Sequence, residues 1–164
     1  MAVGIGPTAI DPARRPVRRS PGRRRGADAA AAAHRRGRGG VKGAAIHTHV
    51  VSCTVERPFT SARGLLHTTL ACCLVELQTD DGIVGWGECR GPAAALKTVV
   101  DTLLAPRVIG RDPFDVGAIW EDLYDRVKDH GRAGLPVAGI AGIDIALWDV
   151  LGRALGLPVH KLIG

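Results

Sequence analysis

Aromatic side chains are scarce in this sequence, at 4% of 164 residues, and none occurs before Phe59. The first forty residues also nearly lack acid, with only Asp11 and Asp28 against ten arginines between Arg14 and Arg38. A stretch of Arg, Ala, Gly and Pro without an aromatic anchor cannot bury enough apolar surface to offset the ordering of its backbone, roughly 1–2 kcal/mol per residue. Residues 1–40 are therefore expected to form a disordered basic arm. Ten positive and two negative side chains give that arm +8, so the overall +6 leaves a net −2 for residues 41–164, and the basic balance says little about the part that folds.

Other absences exclude whole classes of function. The arginines are not interleaved with aromatic residues, so nothing marks a nucleic-acid site beyond non-specific attraction to phosphate. No apolar run follows the Arg-Arg pairs, which argues against a secretory signal, and the arm lacks the amphipathic stripe of an organelle transit peptide. No stretch reaches the ~20 uninterrupted apolar residues of a membrane span. The four cysteines, Cys53, Cys72, Cys73 and Cys89, show no zinc-ligand spacing. Cys72 and Cys73 lie in a strand-like run, where neighbours point to opposite faces and cannot share a metal. All four are expected to be buried free thiols, which suits a reducing cytoplasm.

What is present reads as three strands and then three helices. Ala44–Val55 is rich in β-branched residues and predicts a first strand, although Pro58, Ser61 and Gly64 make 56–68 read as a loop of about a dozen residues. Thr69–Thr79 and Ile83–Glu88 predict a hairpin around Asp80-Asp81-Gly82, where both Asp and Gly accept the positive φ of a tight turn. Gly85 and Gly87 flank Trp86, a spacing that suggests close backbone approach or a bulge where the strand leaves the sheet. A first helix opens at Pro92, carries Leu96, Val99, Val100, Leu103 and Leu104 on one stripe, and is expected to end at Pro106. A second opens at Asp112 as N-cap with Pro113 at N1, buries Val116, Ile119, Trp120, Leu123 and Val127, and closes near 129–134. The third, Leu135–Leu155, is apolar around much of its circumference and stops at Gly156 and Pro158. Strands followed by helices make an α+β domain: a three-stranded antiparallel sheet with one face covered by a bundle of about three helices.

Four stretches, in order, resemble a known family. Leu74–Glu88 (LVELQTDDGIVGWGE), Ile109–Tyr124 (IGRDPFDVGAIWEDLY), Ile140–Gly152 (IAGIDIALWDVLG) and Leu155–Gly164 (LGLPVHKLIG) are similar to the N-terminal capping domain of the mandelate racemase/muconate lactonising group of the enolase superfamily. The resemblance implies a two-part enzyme, an α+β cap over a modified (β/α) barrel that holds a divalent metal, usually Mg²⁺. Such enzymes abstract the proton α to a carboxylate, and a Lys or His acts as base. Their Lys-x-Lys pair has no counterpart here, because no two of Lys42, Lys97, Lys128 and Lys161 are separated by one residue. A barrel needs roughly 200 residues or more, so residues 41–164 accommodate the cap alone. The chain is expected to be a truncated product, a fragmentary gene model or an excised domain, inactive by itself, with neither catalytic residues nor metal ligands of its own. The parent is expected to be a homo-oligomeric dehydratase, racemase or cycloisomerase acting on a small carboxylate.

By position, the family's specificity segments correspond to Arg57–His67 and Glu88–Gly91. Arg63 suits bidentate bonding to a substrate carboxylate, with Phe59 and Leu65 excluding water and His67 completing the candidate set. Asp144 and Asp149 stand roughly 140° apart on a helix and cannot converge on one metal, so salt bridges or capping are expected of both. Glu88 is expected to make a local hydrogen bond or ion pair. His47 and His49 share a strand face without a third ligand, and His67, His130 and His160 have no identifiable acid/base partner. Two rival readings stay open: a stand-alone α+β binding module whose basic arm engages nucleic acid, or a non-functional remnant.

Overall fold

The computed structural model describes residues 40–163 apart from 63, 65 and 132, so the expected arm lies outside the described residues. Three antiparallel strands come first, β1 (Gly43–Thr60), β2 (Leu66–Thr79) and β3 (Val84–Cys89), in sheet order β1-β2-β3. The helical part follows: α1 (Ala93–Val99), a π-helical turn (Val100–Leu104), α2 (Ala105–Val108), α3 (Val116–Val127), α4 (Leu135–Leu155) and α5 (Val159–Ile163). The α+β expectation is met.

Register explains the layering. Cys73, Val75, Leu77 and Thr79 of β2 point to the helices and are buried, whereas Cys72, Leu74, Glu76 and Gln78 point to an open face. Paired residues share a face. Ile46 and Thr48 of β1, opposite Leu77 and Val75, therefore join the buried side, and His47 and His49 join the open one. The same rule puts Trp86 and Glu88 of β3 in the open and Gly85, Gly87 and Cys89 beneath the helices.

β3 and α4 approach each other closely. A Cβ on Gly87 would overlap the Gly142 carbonyl, one on Gly85 would strike Ala146 and Val150, and one on Gly142 would strike the Cys89 sulfur. The two glycines of β3 and the one in α4 are thus a matched set that lets a strand and a helix touch backbone to backbone. Gly in a helix interior costs about 1 kcal/mol relative to Ala. Here the core residues Ile140, Ile143, Leu147 and Val150, all fully buried or nearly so, offset it. α4 is long and apolar enough to cross a membrane by length and composition, and half of that stretch is buried inside the domain.

Several boundaries differ from expectation. Positions 56–68 are mostly strand, because β1 and β2 continue as a two-stranded ribbon to a turn in which the Gly64 N–H donates to the Ser61 carbonyl, 2.9 Å. Pro58, which lacks the N–H a ladder needs, sits where pairing slips between Thr54 and Phe59. In the β2–β3 turn only Gly82 takes positive φ, +88°, and no non-Gly residue among those described does so. The Thr79 N–H donates to the Ile83 carbonyl at 2.9 Å across Asp80-Asp81-Gly82. Pro106 does not end the first helix. The chain widens beforehand, with the Ala105 N–H reaching the Val100 carbonyl five residues back, and Pro106 enters the first turn of α2, where its missing donor is tolerated. Asp112 caps a turn rather than a helix: its carboxylate accepts from the Phe114 N–H at 2.8 Å, and α3 starts four residues later with Asp115 as N-cap.

Candidate substrate-capping face

The ribbon and the segment after β3 lie toward the same end of the sheet. β3 stops at Cys89, which pairs with Cys73, whereas β2 begins at Leu66, seven residues further out. At about 3.3 Å per residue the ribbon overhangs the end of β3 by roughly 23 Å. Among the described residues no helix covers it: Val51, Leu66 and Leu70 are all exposed, Leu66 by 64%. A bare ribbon of this length carries its side chains to a surface the domain itself does not use.

Of the four candidate residues, two are brought together. Phe59 pairs with His67 across the ribbon, and their rings stack with centroids 4.9 Å apart and planes 20° from parallel. Phe59 remains 48% exposed. Arg63 and Leu65 lie outside the described residues. Ser61, which the candidate list did not single out, holds a buried hydroxyl with no partner among the described residues. The tip thus offers two stacked rings, with no acid or base bonded to His67 among the described residues. It can cover a ligand and exclude water, but the described residues give it no means of moving a proton.

Elsewhere the polar groups are engaged with one another. His49 Nε2 lies 2.8 Å from Glu76 Oε2 and its ring faces Trp86 at 5.5 Å, while Gln78 donates to Glu76 Oε1 at 2.8 Å. The Gln78 bond, and after it the His49 bond, hold the Glu76 carboxyl below the usual carboxylate range. This open-face cluster was missed from sequence, although the hairpin register sets Glu76 directly across from His47 and one diagonal step from His49. A groove of about 400 Å³ between β1 and the first helices is lined in part by Thr48, Lys97, Asp101 and Pro106. Lys97 Nζ is already bonded to Asp101 Oδ2 at 2.8 Å and to Thr48 Oγ1 at 2.8 Å. Burial pushes the Asp101 carboxyl up, but bonds from Lys97 and Thr48 outweigh it and hold it low. With its one lysine spent in this way, the groove does not recommend itself as an anion site.

The remaining expectations divide. Asp149 is structural, as its Oδ2 accepts from the Trp86 N–H and from Arg153 Nε, each at 2.9 Å. Asp144 makes neither salt bridge nor cap among the described residues, and burial pushes its carboxyl up. Glu88 stands exposed on the edge strand β3, opposite Leu74, without the expected hydrogen bond or ion pair among the described residues. Cys73 and Cys89 are buried free thiols, with burial pushing Cys89 up to about 12. Cys53 is exposed and Cys72 half-exposed, since both point to the uncovered face. No three His, Cys, Asp or Glu side chains among the described residues converge on a possible metal position.

Residues 45–164 match the family described as "Mandelate racemase / muconate lactonizing enzyme, N-terminal domain". The chain is 41% identical over 120 residues to D-galactarolactone cycloisomerase of Agrobacterium fabrum, covering 73% of this chain and 31% of that one. Among solved structures, the 3,6-anhydro-D-galactonate cycloisomerase of Zobellia galactanivorans superposes with a TM-score of 0.65 at 35% identity, over 75% of this chain and 32% of that one. The L-talarate/galactarate dehydratase of Salmonella typhimurium, solved with Mg and L-lyxarohydroxamate, gives 0.68 at 26% identity over 77% and 34%. The chain spans about a third of the length of the relatives it matches.

Proposed function

Because the chain belongs, through residues 45–164, to the N-terminal domain of the mandelate racemase/muconate lactonising group, we propose that it is the substrate-covering cap of an enzyme acting on sugar acids or hydroxy acids. In this reading residues 1–40 form an arm, 41–164 form the cap, and a (β/α) barrel carries the chemistry. The reaction is dehydration, racemisation or cycloisomerisation begun by removal of the proton α to a carboxylate. The observation that carries the reading is the overhanging ribbon, whose tip stacks Phe59 on His67 and leaves Phe59 exposed, with no helix beneath it among the described residues.

The tip's role follows from its chemistry. Two stacked rings shed water from whatever they cover, and a covered carboxylate interacts more strongly with charged partners than a solvated one does. Arg63 and Leu65, between the two rings in sequence, complete the cover by pairing with the substrate carboxylate and by excluding water. Among the described residues no three possible ligands for a divalent cation come together. Mg²⁺ is assigned to the barrel, and the assembled enzyme to a cytoplasmic homo-oligomer.

A cap exchange tests this. The 164-residue chain is assayed with Mg²⁺ on galactarate, galactonate and D-galactarolactone, and no turnover is expected. Residues 41–164 then replace the corresponding segment of the Agrobacterium fabrum cycloisomerase. Turnover is expected to persist, and Phe59→Ala in this hybrid is expected to raise KM several-fold. Turnover by the lone chain, or a folded hybrid without activity, overturns the proposal.

A further inference from the structure

Each face of β2 carries one cysteine beside a cysteine of a neighbouring strand. On the helical side Cys73 stands directly opposite Cys89 of β3, and both are buried. On the open side Cys72 stands opposite Val51 and Cys53 opposite Leu70, which makes Cys53 and Cys72 diagonal neighbours across β1 and β2. Cys53 is exposed and Cys72 half-exposed.

Further along the same two strands, this diagonal already makes a contact. His49 pairs with Leu74 and reaches diagonally to Glu76, with 2.8 Å between Nε2 and Oε2. Cys53 lies four residues beyond His49, and Cys72 four residues before Glu76. The register runs without a slip from Ala45 to Thr54, and a step of four restores both the face and the place in the ladder's alternation. The two thiols therefore lie along the same diagonal that joins the imidazole to the carboxylate. Their closeness is felt electrostatically: burial, then Glu88, then Cys53 push the Cys72 thiol up.

A diagonal holds two Cβ atoms farther apart than the ~3.8 Å of a relaxed disulfide. The strands can draw together here, because pairing slips after Thr54, one residue beyond Cys53, and the neighbouring Val51 and Leu70 are exposed with no helix over them among the described residues. A bond closed under such strain is readily reduced again. The inner pair has the better register, but exchange needs an accessible thiolate, and the burial that pushes Cys89 up to about 12 denies one.

We propose that Cys53 and Cys72 form a redox site, which a small-molecule disulfide of the glutathione type closes into a reversible cross-strand bridge that fastens the root of the ribbon. The exposed Cys53 thiolate attacks one sulfur of the small disulfide and expels one thiolate. The Cys72 thiolate then attacks Cys53 Sγ in the mixed disulfide, forms the bond between the two cysteines and expels the second. Two protein thiols are oxidised and one small disulfide is reduced to two thiols, which take up the two protons that the cysteines gave up. Phe59 and His67 lie inside the segment that the bridge closes, so oxidation narrows the positions open to the tip.

Thiol exchange on the dilute 164-residue chain tests this. The chain is treated with excess glutathione disulfide, quenched in acid and alkylated in denaturant. Tryptic peptides 43–63 and 64–90 are expected to remain joined, with fragmentation placing the bond between Cys53 and Cys72 and the alkyl groups on Cys73 and Cys89. Excess reduced glutathione should release them. Amide exchange over 54–71 should slow several-fold in the bridged chain and return to its starting rate on reduction. Cys72→Ser, and equally Cys72→Ala, should instead accumulate a glutathione adduct on Cys53, since nothing is left to expel it, with circular dichroism matching the parent chain. A bridge through Cys73 or Cys89, a bond between two copies, an adduct on Cys53 that persists in the parent chain, a bridged ribbon that exchanges as before, or no reaction at all overturns the proposal.

Discussion

Two regions that share one sheet are held by opposite means. Where β3 lies on α4, glycine meets backbone and there is no room for a methyl group. Where β1 and β2 run out past Val50 and Ala71, both faces of the ribbon are open and side chains touch little beyond their cross-strand neighbours. The first region fixes the fold and tolerates almost no change of volume. The second can change its side chains at little cost to stability, which lets a capping surface diversify on a constant body.

The largest effect expected of that contrast is at Gly87. Gly87→Val drives a side chain into the Gly142 carbonyl and should cost about 3 kcal/mol or leave the chain unfolded, whereas Thr69→Val on the ribbon should stay within about 0.5 kcal/mol. Urea unfolding of the pair measures the difference, and equal costs would break the comparison. The thiols sharpen it. Iodoacetamide at pH 8 should modify exposed Cys53 in the native protein, while Cys73 and Cys89, both raised by burial, should react only in denaturant. Peptide mass mapping reads this directly.

A smaller loss is expected for Asp149→Ala, which removes the acceptor of the Trp86 N–H and should cost about 1 kcal/mol, with Asp149→Asn recovering most of it. Two acids should then move stability in opposite directions with pH. The folded value of Asp101 is lowered, so its contribution is complete above its ordinary value of 3.8 and fades as pH falls through the lowered one. Asp144 is raised, so its contribution is complete below 3.8 and fades as pH rises through the raised value. Asp101→Asn should therefore lose stability mainly at neutral pH, and Asp144→Asn should gain it there, as followed by urea midpoints from pH 3 to 7. The smallest effect is that of Phe59→Ala on the isolated chain, within about 0.5 kcal/mol, because its ring touches only the ribbon.

The elements that face a core were legible from sequence. β2 announces itself by alternation and α4 by its apolar circumference and its Gly156 stop, while the spacing of Gly85 and Gly87 left close approach or a bulge open and the structure shows close approach. The outer ribbon was not, since a strand open on both faces has no burial to impose a period of two, and Pro58 and Gly64 then read as loop. Pro106 misled for a different reason. Proline forbids one hydrogen bond, and a π-helical turn supplies a path around it that no side-chain pattern records. At the candidate site the pairing of Phe59 with His67 depended on a slipped register, and the partner of Asp149 is an amide 63 residues away in sequence.

The bond from Trp86 to Asp149 also bears on how this molecule can meet others of its kind. The Trp86 amide points away from β2, along the flank where another strand would add, and the α4 carboxylate plugs it. Among the described residues the β3 edge therefore offers an added strand one donor fewer than its length implies, which disfavours strand addition on that flank.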